Sequence, residues 1–204
     1  MFPTKEKKER SLGVKLFLKP ERCNSPKCVT VRRPQHPGLH GKMFRRQLSE
    51  FGLQLKEKQK IRFTYGIRER HFRKIFQSAA KNPGVTGQMI FHILEKRLDN
   101  VVYRLGLAPS RSVARQLVGH GHIMVNNRKV TIPSFQVKVG ELISIRQQSK
   151  EHPAFKELAN SLKKYDPPIW LAMDSEKFQG KVLSEPKDLE IPFDVNLVVD
   201  YYSK

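Results

Sequence analysis

The chain has 204 residues and a formal net charge of +20, from 39 Lys and Arg against 19 Asp and Glu, with a pI near 10.2. That length allows one large domain or two small ones, and charge on this scale repels itself in a compact fold unless a polyanion neutralises it. Such basicity is the footprint of a nucleic-acid binder rather than of a small-molecule enzyme, and no apolar run reaches the roughly 18 residues of a membrane span.

The N-terminus, MFPTKEKKERS, has no apolar core for a secretory signal. Its Glu6 and Glu9 are out of place in an acid-poor transit peptide. Cys23 and Cys28 are the only cysteines, too few for a disulfide scaffold. An intracellular setting is expected.

Residues 1–47 carry prolines 26, 34 and 37 and glycines 38 and 41, which interrupt regular structure. An extended basic segment is expected there, held by a large partner rather than by a core of its own. Arg22, Arg32, Arg33, His40, Lys42, Arg45 and Arg46 are its candidate RNA contacts. Cys23 and Cys28 could supply half of a tetrahedral zinc site, with His36 and His40 the only near histidines. Two free thiols are the default expectation, and no metal or other cofactor is assigned.

From Leu48 the period becomes helical. Leu48, Phe51 and Leu55 recur on one face, and Ser49 can cap. After a Tyr65-Gly66 link, Phe72, Ile75, Phe76 and Ala79 line the apolar face of a second helix. The pair reads as a helical hairpin with a basic exterior. Lys56, Lys58, Arg62, Arg68, Arg70 and Arg73 are assigned to RNA there, because basic residues outnumber what ordinary i, i+4 pairing uses.

NPGVTG breaks the chain, and Thr86 is expected to cap a long helix running to about Leu105. Leu94, Leu98, Val101, Val102 and Leu105 share one arc of it, with Arg97 and Arg104 outside that arc and assigned as RNA contacts. Ser110 caps the next helix, over 111–120. Val113, Ala114, Leu117 and Val118 fill one side; Arg111, Ser112, Arg115 and Gln116 fill the other. Guanidiniums beside small hydrogen-bonding groups suit phosphate and ribose.

Past Gly121 the period is two, which predicts a small antiparallel sheet over 122–125, 128–131, 135–138 and 142–146, with Asn126-Asn127 and Val139-Gly140 as turns. Arg128 and Lys129 extend the candidate surface. His120 and His122 are two apart, not the four that puts two ligands on one helix face, and no carboxylate lies close. They are assigned as RNA contacts. The glycines of GHGHIM do not complete a dinucleotide pattern, and no nucleophile elbow or Walker loop occurs. WLAMD is expected as a strand, VLSEPKDLEIP as a loop, and VNLVVDYYSK as an apolar run that docks on an earlier element.

The stretch EKRLDNVVYRLGLAPSRSVARQLVGHGHIMVNNRKV closely resembles the RNA-binding module of the bacterial-type family of the fourth small-subunit ribosomal protein. HPGLHG, FGLQLKEKQKIRFTYGI, ERHFRKIF, PPIWLAMD and YYSK resemble its flanking motifs in family order, so the resemblance covers 10–204. The isolated module also occurs in RNA-modifying enzymes, but those need a catalytic domain for which this chain has no room. A small RNA chaperone would need only the module.

The resemblance implies an α+β fold. A helical N-terminal domain carries an inserted αα-plus-antiparallel-sheet RNA-binding module, and the C-terminal tail packs back on the helical domain. The expected parts are 1–47, 48–88 completed by 186–204, 89–170, and 171–204. It further implies a non-enzymatic protein in the cytoplasmic ribosome, with an organellar ribosome left open. Such a protein binds the 5′ domain of small-subunit rRNA, nucleates assembly, adjoins the fifth small-subunit protein and other ribosomal proteins, influences decoding accuracy and lines the mRNA entry path. Some family members hold zinc with four N-terminal cysteines. The second pair matches Cys23 and Cys28; the first falls on Glu6 and Glu9.

Overall fold

The computed structural model describes residues 5–43, 47–81, 85–149, 155, 158, 162, 165–186 and 193–203. The chain divides into two compact units, one of residues 1–89 with 190–204 and one of 90–189.

In the first unit the N-terminal segment is folded, not extended. Three short helices, α1 (Lys5–Leu12), α2 (Pro20–Cys23) and α3 (Val29–Arg32), enclose a small interior of Leu12, Leu16, Cys23 and Cys28. Pro20 starts a helix instead of stopping one: it sits in the first turn of α2, where the missing amide would have no partner anyway.

Helices α4 (Glu50–Thr64) and α5 (Glu69–Ala80) form the expected hairpin. Ser49 accepts from the Gly52 amide at 3.2 Å and caps α4. Gly66 takes φ 63° between them, a turn that favours glycine. Phe72, Ile75, Phe76 and Ala79 are buried on α5 as the periodicity predicts. On α4 the buried face is different. Gln54, Lys58 and Ile61 face inward, while Leu48 and Phe51 are exposed. The C-terminal helix α9 (Val195–Ser203) causes this, because it lies against α4 and brings polar partners. Phe51 stacks on Tyr201 at 5.5 Å, and Lys58 lies 4.0 Å over the same ring. Gly87, in the first turn of α6 (Thr86–Glu95), lets Val195 approach where a Cβ would meet it at 2.5 Å.

In the second unit, the single long helix expected over 86–105 is two. α6 ends at Glu95 and α7 (Leu98–Arg104) starts after Lys96 and Arg97. The strand expected at 135–138 is absent too, leaving one isolated bridge between Arg97 and Gln136. One arrangement explains both differences. The Leu98 and Asp99 amides donate to Phe135 O (2.8 Å) and Pro133 O (3.1 Å), and Val137 N–H donates to Lys96 O (2.9 Å). The helix break and the 133–137 segment satisfy each other's backbone groups, so neither needs a helix or sheet partner.

α8 (Arg111–Gly119) follows, capped by Ser110. The sheet is β1 (Ile123–Val125), β2 (Arg128–Lys129), β3 (Leu142–Ile145), β4 (Leu171–Asp174) and β5 (Gln179–Val182), in order β2-β1-β3-β5-β4, with every pairing antiparallel. β4 is the expected WLAMD strand, and β5 is a further strand that joins it to β3. The core under the sheet holds Leu98, Val101, Val102, Leu105, Ala114, Leu117 and Val118 with Phe155, Leu158, Leu162 and Trp170. Gly180 of β5 is needed there, since a Cβ would lie 2.4 Å from Leu105.

Candidate nucleic-acid interface

α7 and α8 pack together, and their polar residues form a braced network. Asp99, 2% exposed, receives two guanidiniums. Arg97 donates through Nε at 3.1 Å and Nη2 at 2.9 Å. Arg115 donates through Nε at 2.9 Å and Nη2 at 2.5 Å. Glu95, 1% exposed, takes Arg104 in the same forked way, both bonds at 3.0 Å, and also accepts from Asn100 at 2.8 Å. Asn100 Oδ1 accepts from Arg111 Nε at 2.7 Å, and the Arg111 guanidinium lies 4.5 Å over Tyr103. A continuous chain therefore runs Arg104–Glu95–Asn100–Arg111.

Buried carboxylates need such partners, because an unpaired one would be expensive. The pairing has a second consequence. It fixes long side chains in one orientation, so less freedom remains to be lost on binding. Arg115 and Arg104 keep about a third of their side chains exposed, 34% and 32%. Arg97 is 5% exposed, and its guanidinium lies inside the unit on Asp99. Its place outside the apolar arc points to an RNA contact, and the structure corrects that assignment. Its acid partner, Asp99, lies only two residues along the chain.

Ser112 and Gln116 are exposed on α8 beside these arginines in sequence. The β1–β2 turn holds Asn126 and Asn127 at φ 48° and 61°, a hairpin geometry that asparagine tolerates. It presents Arg128 and Lys129, both exposed. The Lys129 stem crosses Gly121, where a Cβ would meet its Cε at 2.2 Å. His120 is exposed and His122 half-buried, their rings 6.0 Å apart. His122 Nδ1 is hydrogen-bonded to Ser149 Oγ at 3.0 Å, which turns that histidine toward the fold.

The first unit carries its own basic surfaces. Arg68, Arg70 and Arg73 are exposed on and before α5, and Lys56 is half-buried on α4. Lys58 is 4% exposed and donates to Glu69 at 2.9 Å, so it lies inside the unit. Arg62 donates to the same carboxylate at 2.8 Å, and Tyr202 donates its hydroxyl at 2.7 Å. Burial opposes ionisation of Glu69, but the bonds from Lys58, Tyr202 and Arg62 outweigh it and hold its carboxyl below the ordinary range. Burial, followed by the Glu69 acceptor, pushes the Tyr202 phenol up.

In the N-terminal lobe Arg22, Arg32 and Arg33 line one cleft of about 450 Å³. Lys7, Arg10 and Lys27 share it, with Glu6 the only acid among its described lining residues. Nothing local in the sequence marks those three, since only folding brings them to the arginines. His40 and Lys42 are exposed; Arg45 and Arg46 lie outside the described residues.

Two family descriptions match, and together they span residues 3–143. "Ribosomal protein S4/S9 N-terminal domain" covers 3–95 and "S4 domain" covers 96–143. The chain is 48% identical over 197 residues to "Small ribosomal subunit protein uS4" of Pelotomaculum thermopropionicum, covering 96% of this chain and 94% of that protein. It is 49% identical to the protein of that name in Syntrophomonas wolfei and 50% identical to "Small ribosomal subunit protein uS4A" of Alkaliphilus metalliredigens, with the same coverage. The chain belongs to the uS4 family. It is accordingly a non-enzymatic ribosomal protein with the S4 RNA-binding domain.

The zinc held by some uS4 family members does not fit these residues. Among the described residues no three His, Cys, Asp or Glu side chains converge as a metal would require. Glu6 pairs with Arg22 at 2.7 Å and Lys19 at 3.5 Å. Glu9 points into the lobe and accepts from backbone amides. Cys23 and Cys28 are buried free thiols. Burial, then the Glu9 charge, pushes the Cys23 thiol up, whereas a hydrogen bond with Thr30 pulls the Cys28 thiol down.

Proposed function

We propose that the chain is a structural constituent of the small ribosomal subunit that binds its ribosomal RNA directly, in the 5′ domain, and nucleates subunit assembly. The observation that carries this is the α7–α8 network, in which buried Asp99 and Glu95 hold Arg115 and Arg104 in fixed, partly exposed positions. The chemistry of these arginines is to hold phosphates, with affinity from counterion release and selectivity from RNA shape.

The RNA-facing set comprises Arg22, Arg32, Arg33, His40, Lys42, Arg45 and Arg46 in the first segment and Lys56, Arg62, Arg68, Arg70 and Arg73 on the hairpin. In the module it comprises Arg104, Arg111, Ser112, Arg115, Gln116, His120, His122, Arg128 and Lys129. The working parts are 1–47, the hairpin of 48–88 with the returning tail of 186–204, and a module from 89 onward whose sheet takes in 171–182. The α9–α4 packing supports the tail assignment. Neighbours would be the fifth small-subunit protein, with an influence on accuracy, and mRNA at its entry path, in the cytoplasmic ribosome.

The test replaces Arg111 and Arg115 singly by Ala and measures binding to a 5′-domain RNA fragment across salt concentrations. Each lost phosphate contact flattens the log K against log salt slope by about 0.7 to 1. Unchanged slopes in both variants would exclude this face as the contact.

A further inference from the structure

The N-terminal lobe is small, basic and built from three helices of 8, 4 and 4 residues. Helices that short do not hold themselves together. Its interior is equally thin, with Leu12, Leu16, Cys23 and Cys28 as the buried apolar groups near α1 to α3. At its centre is a charged group, Glu9, only 3% exposed. Its Oε1 accepts from the Leu16 amide at 3.1 Å and the Leu18 amide at 3.2 Å. Cys23 Sγ lies 3.9 Å from both carboxylate oxygens. One side chain on α1 thus gathers the loop after α1 and the end of α2. The buried Leu16 amide would otherwise lose its partner in the interior, and bonds to an ionised acceptor are the strong kind.

We propose that the Glu9 carboxylate is the internal tie of this lobe and does the cross-linking that a metal does in zinc-holding relatives. The lobe then folds without metal. Glu9 is also a positioning residue for the cleft, because the two helices it ties carry three of the cleft's cations, Lys7 and Arg10 on α1 and Arg22 on α2. Glu6, at the cleft edge with Arg22, is a rim contact and not part of the tie.

The chain supplies its own reporters. Both cysteines lie in this lobe, and the single tryptophan, Trp170, lies in the other unit. Thiol labelling of the full-length protein therefore reads the lobe, and Trp170 emission reads the module, with no RNA needed. In the parent protein, labelling of Cys23 and Cys28 should be slow and unaffected by a zinc chelator. Glu9→Ala should speed labelling by about tenfold or more, through local opening, with native Trp170 emission. Glu9→Gln keeps the Oε1 acceptor but loses the charge, and should fall between. RNA-fragment affinity should drop in the same order, while Glu6→Gln leaves labelling at the parent rate. Thiols exposed by the chelator in the parent, or labelling of Glu9→Ala at the parent rate, would overturn the proposal. If Glu9→Ala also loses native Trp170 emission, Glu9→Gln decides: faster labelling with native emission supports the tie, and unchanged labelling overturns it. RNA affinity lost with thiols still protected would likewise overturn it, since the effect would then not pass through the lobe's fold.

Discussion

Helices α4 and α8 both line up basic side chains, and they use them in opposite directions. On α8 the apolar residues Ala114, Leu117 and Val118 go inward, and Arg111 and Arg115 stand on the other side, braced from below by Asn100 and Asp99. On α4 a lysine goes inward. Lys58 sits under Tyr201 and on Glu69, while Leu48 and Phe51 are exposed. The difference teaches that a basic side chain in this protein has two employments. Where apolar residues fill the core side, the cation stays at the surface, and a buried acid holds it in place. Where a second helix brings aromatic rings and a carboxylate, the cation becomes part of the packing.

The sharpest way to break this comparison is to remove the brace under α8. Asp99→Ala leaves Arg97 buried at 5% exposure with its carboxylate gone. A buried charge deprived of its partner costs about 3–5 kcal/mol. Calorimetry should show a large drop in Tm, and a small one would mean that Asp99 orients arginines without supporting the fold. A smaller effect is expected on α4. Lys58→Ala removes one bond to Glu69 and the contact with the Tyr201 ring, a loss of about 2 kcal/mol. Denaturant melts should show it, and hydrogen exchange should place the loosening in α9. Lys58→Met should recover part of the loss if packing matters there.

The smallest expected effect is pH-dependent. The folded-state value of Glu69 lies below its ordinary 4.5, so its contribution is complete above that value. It is lost as the pH falls below 4.5 and through the folded-state value. The stability gap between the parent and Glu69→Gln should therefore narrow from neutral pH to below 4.5. A gap that stays constant would separate Glu69 from the docking of α9.

Much of the module was legible because its pattern is strong and local. The arc of Leu98, Val101, Val102 and Leu105 is fully buried. Ser110 accepts from Val113 N–H, and Asn126-Asn127 makes the hairpin turn. The misreadings share a different cause. The break at Lys96-Arg97, the missing strand at 135–138 and the polar inner face of α4 all depend on partners remote in sequence: Pro133 and Phe135 for the break, Tyr201 and Tyr202 for α4. The lobe departs from the expected extended segment because α1 to α3 form outside the prolines and glycines named as breakers, and Glu9 supplies what these short helices lack.

The sequence by itself determined the class of partner, the family and the two-sided character of α8, because charge, motif order and periodicity are properties of the chain alone. Tertiary structure decided which cations are available to that partner. Arg97, Lys58 and Arg115 are chemically alike at the level of composition. Arg97 and Lys58 are enclosed, and Arg115 keeps 34% of its side chain in solvent. Enclosing a charge is tolerable only where a carboxylate meets it, and for Lys58 that carboxylate, Glu69, arrives only when α5 folds back on α4.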